Sequence, residues 1–203
     1  MKLCILLSDE FKVTVKTGDI HDNNTIEKLE KYIMLAPKLR TYEKREVYPL
    51  TGSQKGIFAE CSKNPDSTVY NIPFLFELEN AIDEQKLADA LTKMVNAHSY
   101  LLTKVYLNSD GEMVQSPGED KFIPKIIKIT NSEFEALKEN LVRPFKLEKG
   151  RLFRAEIYLT EDKKYLFTDF HHIIADGNSY DIIFEDINKA YRGEKLESET
   201  YTG

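Results

Sequence analysis

The chain has 203 residues, 41% of them hydrophobic and 31% charged, enough apolar material for one domain with a sizeable core plus a smaller piece. Its formal net charge of -6 excludes the basic footprint that nucleic acids or anionic membranes attract, and no apolar run approaches the length of a membrane span. Two widely separated cysteines, Cys4 and Cys61, argue against a disulfide framework or a zinc site and for the reducing cytoplasm.

The opening run, Met1-Lys2-Leu3-Cys4-Ile5-Leu6-Leu7, is too short for a signal peptide, and Ser8-Asp9-Glu10 follows without a cleavage site. It reads as a helix with Leu3, Leu6 and Leu7 facing one core. Thr25 is placed to cap a second amphipathic helix whose stripe is Ile26, Leu29 and Ile33. Residues 1–35 therefore form a small all-α segment. Residues 36–46, charged and lying between Pro37 and Pro49, read as a linker. The main domain spans 47–203.

From Tyr48 the pattern becomes mixed α/β. A helix covers Ser53 to about Lys63. A strand follows from Val69 to Leu78, with Pro73 marking an edge or a bulge. Asp83 caps a helix bearing Leu87, Ala90, Leu91, Met94 and Val95 on one face. Leu101 to Leu107 alternates like a strand and runs into the turn Asn108-Ser109-Asp110-Gly111. Phe122 to Ile129 reads as a further strand, and Asn131 is placed to cap a helix reaching Leu141. Leu152–Leu159 and Lys164–Phe170 are strands around the turn 160–163. A helix from Ser179 carries Ile182, Ile183, Ile187, Ala190 and Tyr191.

His171 and His172 end an apolar strand, and Asp176 and Gly177 follow just before a helix. A neutral imidazole at a sheet rim can take a proton from an incoming amine or hydroxyl. A buried Asp176 would pair with a cation, and Gly177 lets backbone approach a ligand and offers its N–H to an oxyanion. The residue types alone leave three alternatives open: catalysis, a purely structural turn, and metal binding, for which no further His or Cys cluster completes a shell.

The string His171-His172-x-x-x-Asp176-Gly177 resembles the signature of condensation domains from nonribosomal peptide synthetases. Arg143-Pro144-Phe145-x-Leu147-x-x-Gly150-x-Leu152-Phe153-Arg154-Ala155 is similar to the family segment that leads into it. Tyr48-Pro49-Leu50-Thr51-x-x-Gln54-x-Gly56-Ile57 is similar to the family's opening. Ile182-Ile183-x-Glu185-Asp186-Ile187 and Tyr191-x-Gly193 fit downstream. The resemblance covers about residues 47–203. It implies a chloramphenicol-acetyltransferase-like lobe, a mixed sheet flanked by helices. It also implies peptide-bond formation between a thioester donor and an amine acceptor, each presented on the phosphopantetheine arm of a carrier domain, with no cofactor bound directly. His172 would act on the amine, with Asp176 and His171 mainly architectural. The relatives that epimerise or form esters share the signature, and a non-catalytic carrier-docking scaffold is the reading from another class.

Two departures bear on this. The family's second motif reads Arg-His-Glu-x-Leu-Arg, whereas Ala97-His98-Ser99-Tyr100-Leu101-Leu102 keeps the histidine but neither arginine. In the family an arginine there braces the signature aspartate, so Lys104 and Arg154 become the candidate braces for Asp176. The family also has a second lobe that closes the cleft, and the chain reads as a fragment lacking it. Leu3-x-x-x-Leu7-x-x-Glu10-Phe11-x-Val13 with Asn24-Thr25-Ile26-x-x-Leu29 resembles the C-terminal part of a carrier domain, whose arm-bearing serine would precede Met1.

Overall fold

The computed structural model describes residues 2–38, 45–118 and 121–199. Contacts divide the chain into two units, Met1–Lys44 and Arg45–Gly203.

The first unit holds α1 (Lys2–Phe11), α2 (Thr17–Asp22) and α3 (Ile26–Leu35). Thr25 is the N-cap of α3, its hydroxyl accepting from the Lys28 N–H. The apolar face of α1 differs from the expectation. Leu3 and Leu6 are exposed, and the buried side chain of the helix is Cys4; Val13 and Val15, which follow it, are buried as well. Thr14 N–H donates to Pro37 O and Val13 bridges Lys38, so the start of the expected linker pairs with the helical unit. Residues 39–44 of that linker lie outside the described residues.

The second unit begins with β1 (Tyr48–Pro49) and α4 (Gly52–Lys63), whose N-terminus is closed by a reciprocal Thr51–Gln54 capping box. Then come β2 (Asn71–Leu78), α5 (Glu84–Ala97), β3 (Lys104–Leu107), β4 (Met113–Ser116) and β5 (Lys125–Lys128). The last elements are α6 (Asn131–Lys138), β6 (Phe153–Leu159), β7 (Lys164–His171) and α7 (Gly177–Arg192). Asp83 caps α5 as its sequence position indicates. Thr130, one residue before Asn131, caps α6. The strand expected from Leu101 starts at Lys104, because Leu101 and Leu102 are wound into a 3-10 turn, Ser99–Leu102.

One small antiparallel sheet has the order β1-β4-β3. The larger sheet has the order β2-β7-β6-β5, antiparallel except for the parallel β5–β6 pair. Strand alternation gives this sheet two distinct faces. Phe153, Ala155, Ile157, Leu166 and Phe170 pack under Leu87, Leu91, Met94 and Val95 of α5 and Ile183 and Ile187 of α7. The opposite face presents Tyr158, Tyr165 and Phe167 to Phe134 of α6 and Leu141. The result is the mixed sheet flanked by helices that the sequence reading expects.

Strand β2 is an edge of this sheet. His172 N–H donates to Tyr70 O just before β2, and the antiparallel ladder repeats every second residue. Ile72, Phe74 and Phe76 therefore bond toward β7, and Pro73 turns its hydrogen-free nitrogen to the outer side.

Candidate functional site

The two histidines diverge because consecutive residues of a strand point to opposite faces. His171, the last residue of β7, is buried. Its ring meets Phe145 edge-on at 5.8 Å and lies 6.2 Å from Tyr70. Nδ1 accepts from the Ile173 N–H at 3.2 Å, which leaves the proton of the neutral ring on Nε2, 3.6 Å from Cys61 Sγ. Burial, followed by the neighbouring His172 charge, lowers its pKa to about 4, so it is neutral at physiological pH.

His172 emerges on the exposed side. Its Nδ1 lies 3.0 Å from Ala175 O. A carbonyl can only accept, so Nδ1 carries the hydrogen and the free lone pair of the neutral ring sits on Nε2. The turn that folds Ala175 back is held from outside. Gln54 Nε2 donates to Ile173 O at 3.1 Å, while Gln54 Oε1 accepts from the Thr51 N–H at the start of α4. Gln54 is one of the residues that carry the sequence resemblance. Its position in that turn has no sequence signal of its own.

Asp176 corrects the reading of a buried carboxylate. It is exposed and is the N-cap of α7: Oδ1 accepts from Ser179 N–H at 3.2 Å and Ser179 Oγ at 2.9 Å. The helix thus opens at Gly177, two residues before the expected Ser179. Gly177 is its first residue, and a Cβ there would meet nothing within 4 Å. The first N–H groups of a helix have no partner within it, so the start of α7 presents donors beside the turn.

Arg154 is not the brace for Asp176. Its guanidinium stacks on Phe145, 3.9 Å from the ring centre, and its Nη1 lies 3.6 Å from the fully buried Asp169. Asn71 Nδ2 completes that group with a 2.7 Å bond to Asp169 Oδ2. Burial raises the Asp169 pKa to about 6 against the opposing pull of Asn71 and of the Arg154 and Arg143 charges. Glu156, also buried, accepts from Arg143 Nη2 at 2.8 Å and Tyr158 Oη at 2.7 Å. The Lys104 stem runs over Gly150 instead. His98, the histidine of the second motif, is buried at the C-cap of α5, and its Nε2 bonds Asp186 Oδ2 of α7 at 2.9 Å. A charged residue in the apolar run Tyr165-Leu166-Phe167-Thr168-Asp169-Phe170 was the sequence signal for the buried Asp169 group.

Among the described residues, no three His, Cys, Asp or Glu side chains gather as a metal set, and no helix is long and apolar enough to cross a membrane.

Residues 44–202 match the family described as Condensation domain. The chain belongs to the condensation-domain family. It is 31% identical over 194 residues to bacitracin synthase 3 of Bacillus licheniformis, covering 92% of the chain and 3% of that synthase. It is 29% identical over 204 residues to surfactin synthase subunit 1 of Bacillus subtilis (strain 168), covering 97% of the chain and 6% of that protein. The condensation domain here thus spans a small part of the curated relatives it matches. Among solved structures, the starter condensation domain of the rhizomide synthetase RzmA superposes with a TM-score of 0.65 at 20% identity, over 77% of this chain and 42% of that one. The first condensation domain of the CDA synthetase gives 0.64 at 15% identity, over 78% and 44%. At these identities the likeness concerns the fold.

Proposed function

We propose that the second unit is the first lobe of a condensation enzyme that joins a carrier-bound acyl or peptidyl thioester to an amine held on a second carrier. One observation carries the reading: His172 stands exposed at a strand end, with its proton tied to Ala175 O and its Nε2 lone pair outward. The acceptor nitrogen attacks the thioester carbonyl carbon and passes a proton to His172 Nε2. The resulting oxyanion is stabilised by N–H groups at the start of α7, Gly177 first. Collapse breaks the carbon–sulfur bond, and the departing thiolate takes up the proton from His172. His171, neutral and enclosed, anchors the strand end, and Asp176 sets the first turn of α7.

The substrates arrive on phosphopantetheine arms, so the lobe itself binds no cofactor, and its partners are the donor and acceptor carriers and a second lobe. We read residues 1–35 as the C-terminal part of a carrier domain. The alignment with bacitracin synthase 3 is longer than the family match and reaches into these residues, which supports this. Free Cys4 and Cys61 accord with a cytoplasmic setting.

The test is single-turnover condensation by a two-lobed protein containing this lobe, with loaded donor and acceptor carriers. His172→Ala should slow bond formation by about a hundredfold or more while melting barely moves, since the side chain is exposed. Turnover near the parent rate would instead favour the carrier-docking scaffold.

A further inference from the structure

The Ala175 carbonyl holds two donors. His172 Nδ1 lies 3.0 Å from it and Tyr180 Oη 3.2 Å. Ala175 precedes the N-cap of α7, and Tyr180 is the fourth residue of that helix. These two positions commonly staple the entry of a helix through their side chains. Here the staple is a hydroxyl on a carbonyl.

That carbonyl belongs to the segment between β7 and α7, outside both elements, so neither the sheet ladder nor the helix fixes its direction. The exposed imidazole is a weak guide, because a histidine ring in water readily carries its proton on the other nitrogen. Tyr180, by contrast, is held. Its ring packs 5.4 Å from Phe74 and 5.2 Å from Phe170, both on the sheet face that α7 covers. Burial first, and the Asp176 charge second, raise its hydroxyl to about 12, so it remains a donor across the working pH range.

We infer that Tyr180 is a positioning residue for His172: its hydroxyl aims the Ala175 carbonyl, and the carbonyl in turn holds the His172 proton on Nδ1 and leaves Nε2 free. The chemical use of that lone pair rests on the function proposed above. The tautomer does not.

The two can be tested separately. In the nitrogen-15-labelled 203-residue chain, long-range proton–nitrogen correlation spectra above the imidazole titration report which ring nitrogen carries the hydrogen. His172→Gln identifies the His172 signals. The parent should show His172 protonated on Nδ1. Tyr180→Phe keeps the ring and its aromatic contacts, so the rest of the spectrum should be preserved. In that variant the Nε2–H form should grow several-fold. An unchanged tautomer ratio in folded Tyr180→Phe overturns the inference. Should that variant not fold, Phe74→Leu, which loosens the Tyr180 ring but keeps the hydroxyl, is the second probe. It should shift the ratio in the same direction, and an unchanged ratio there also counts against Tyr180. In the two-lobed enzyme Tyr180→Phe should lower kcat several-fold with KM nearly constant. A shifted tautomer with an unchanged rate would leave Tyr180 as the positioning residue and remove His172 from the proton transfer.

Discussion

His171 and Asp169 lie two residues apart on one face of β7, and burial moves their titrations in opposite directions. His171 falls to about 4 in the fold from an ordinary 6.5. Between those values the unfolded chain holds a proton that the fold excludes, so this residue destabilises the fold as pH drops. Asp169 rises to about 6 from an ordinary 3.8, so over that window the fold holds the extra proton and gains stability as pH drops. Each contribution is on the order of 2–3 kcal/mol. The two should largely cancel, giving a shallow acid dependence between about pH 6 and 4. Asp169→Asn should make the loss of stability on acidification steep, and His171→Gln should reverse its sign. Urea unfolding across that range checks both, and parallel pH profiles in all three proteins would contradict the assignment. The pairing of the two histidines, and their separation to opposite faces, is legible in the sequence from strand alternation alone. The exposure of Asp176 is not, because it depends on where the chain leaves the strand. Nor is the Arg154–Asp169 pair: the charge within the apolar run of β7 singles out Asp169, but its partner is set only when β6 and β7 come into register.

At the scale of elements, legibility follows length and capping. Helix α5 has fourteen residues, a clean apolar stripe and an aspartate cap, and its start is read correctly from sequence. Strands β1 and β4 have two and four residues, too few for a period to show, and they exist because they pair with one another and with β3. The segment leading to β6 depends on Gly150. Its backbone, at φ 71° and ψ -165°, occupies a region essentially reserved for glycine. An added Cβ would also lie 2.9 Å from Lys104 Cγ and 3.3 Å from Leu102 O. Gly150→Ala should therefore lower the unfolding free energy by about 1–3 kcal/mol. Denaturant titration at neutral pH measures it, and a neutral substitution would show that this turn relaxes freely. The joint between α5 and α7 has a different origin. Burial pushes Asp186 up, but hydrogen bonds from Lys189 and His98 outweigh it and hold the carboxyl below its usual range. His98 thus serves here as a buried link between two helices.

For the whole molecule, the division at Lys44 and Arg45 implies that the larger unit carries its own core. A chain beginning at Arg45 should unfold in one cooperative transition with its midpoint little changed. A broad transition, or loss of the fold, would show that the helical unit is needed. The outer side of β2 has a further consequence, for solubility. Eight residues of edge strand, with Leu75 and Phe76 partly exposed, form a template onto which another chain's strand can hydrogen-bond. Pro73, the third residue of the strand, interrupts that row of outward donors and acts as a gatekeeper against intermolecular β-pairing. Pro73→Thr should leave monomer stability close to the parent's and yet raise light scattering and thioflavin binding on prolonged incubation at high concentration. Equal aggregation rates for the two proteins would assign that protection to something other than the proline.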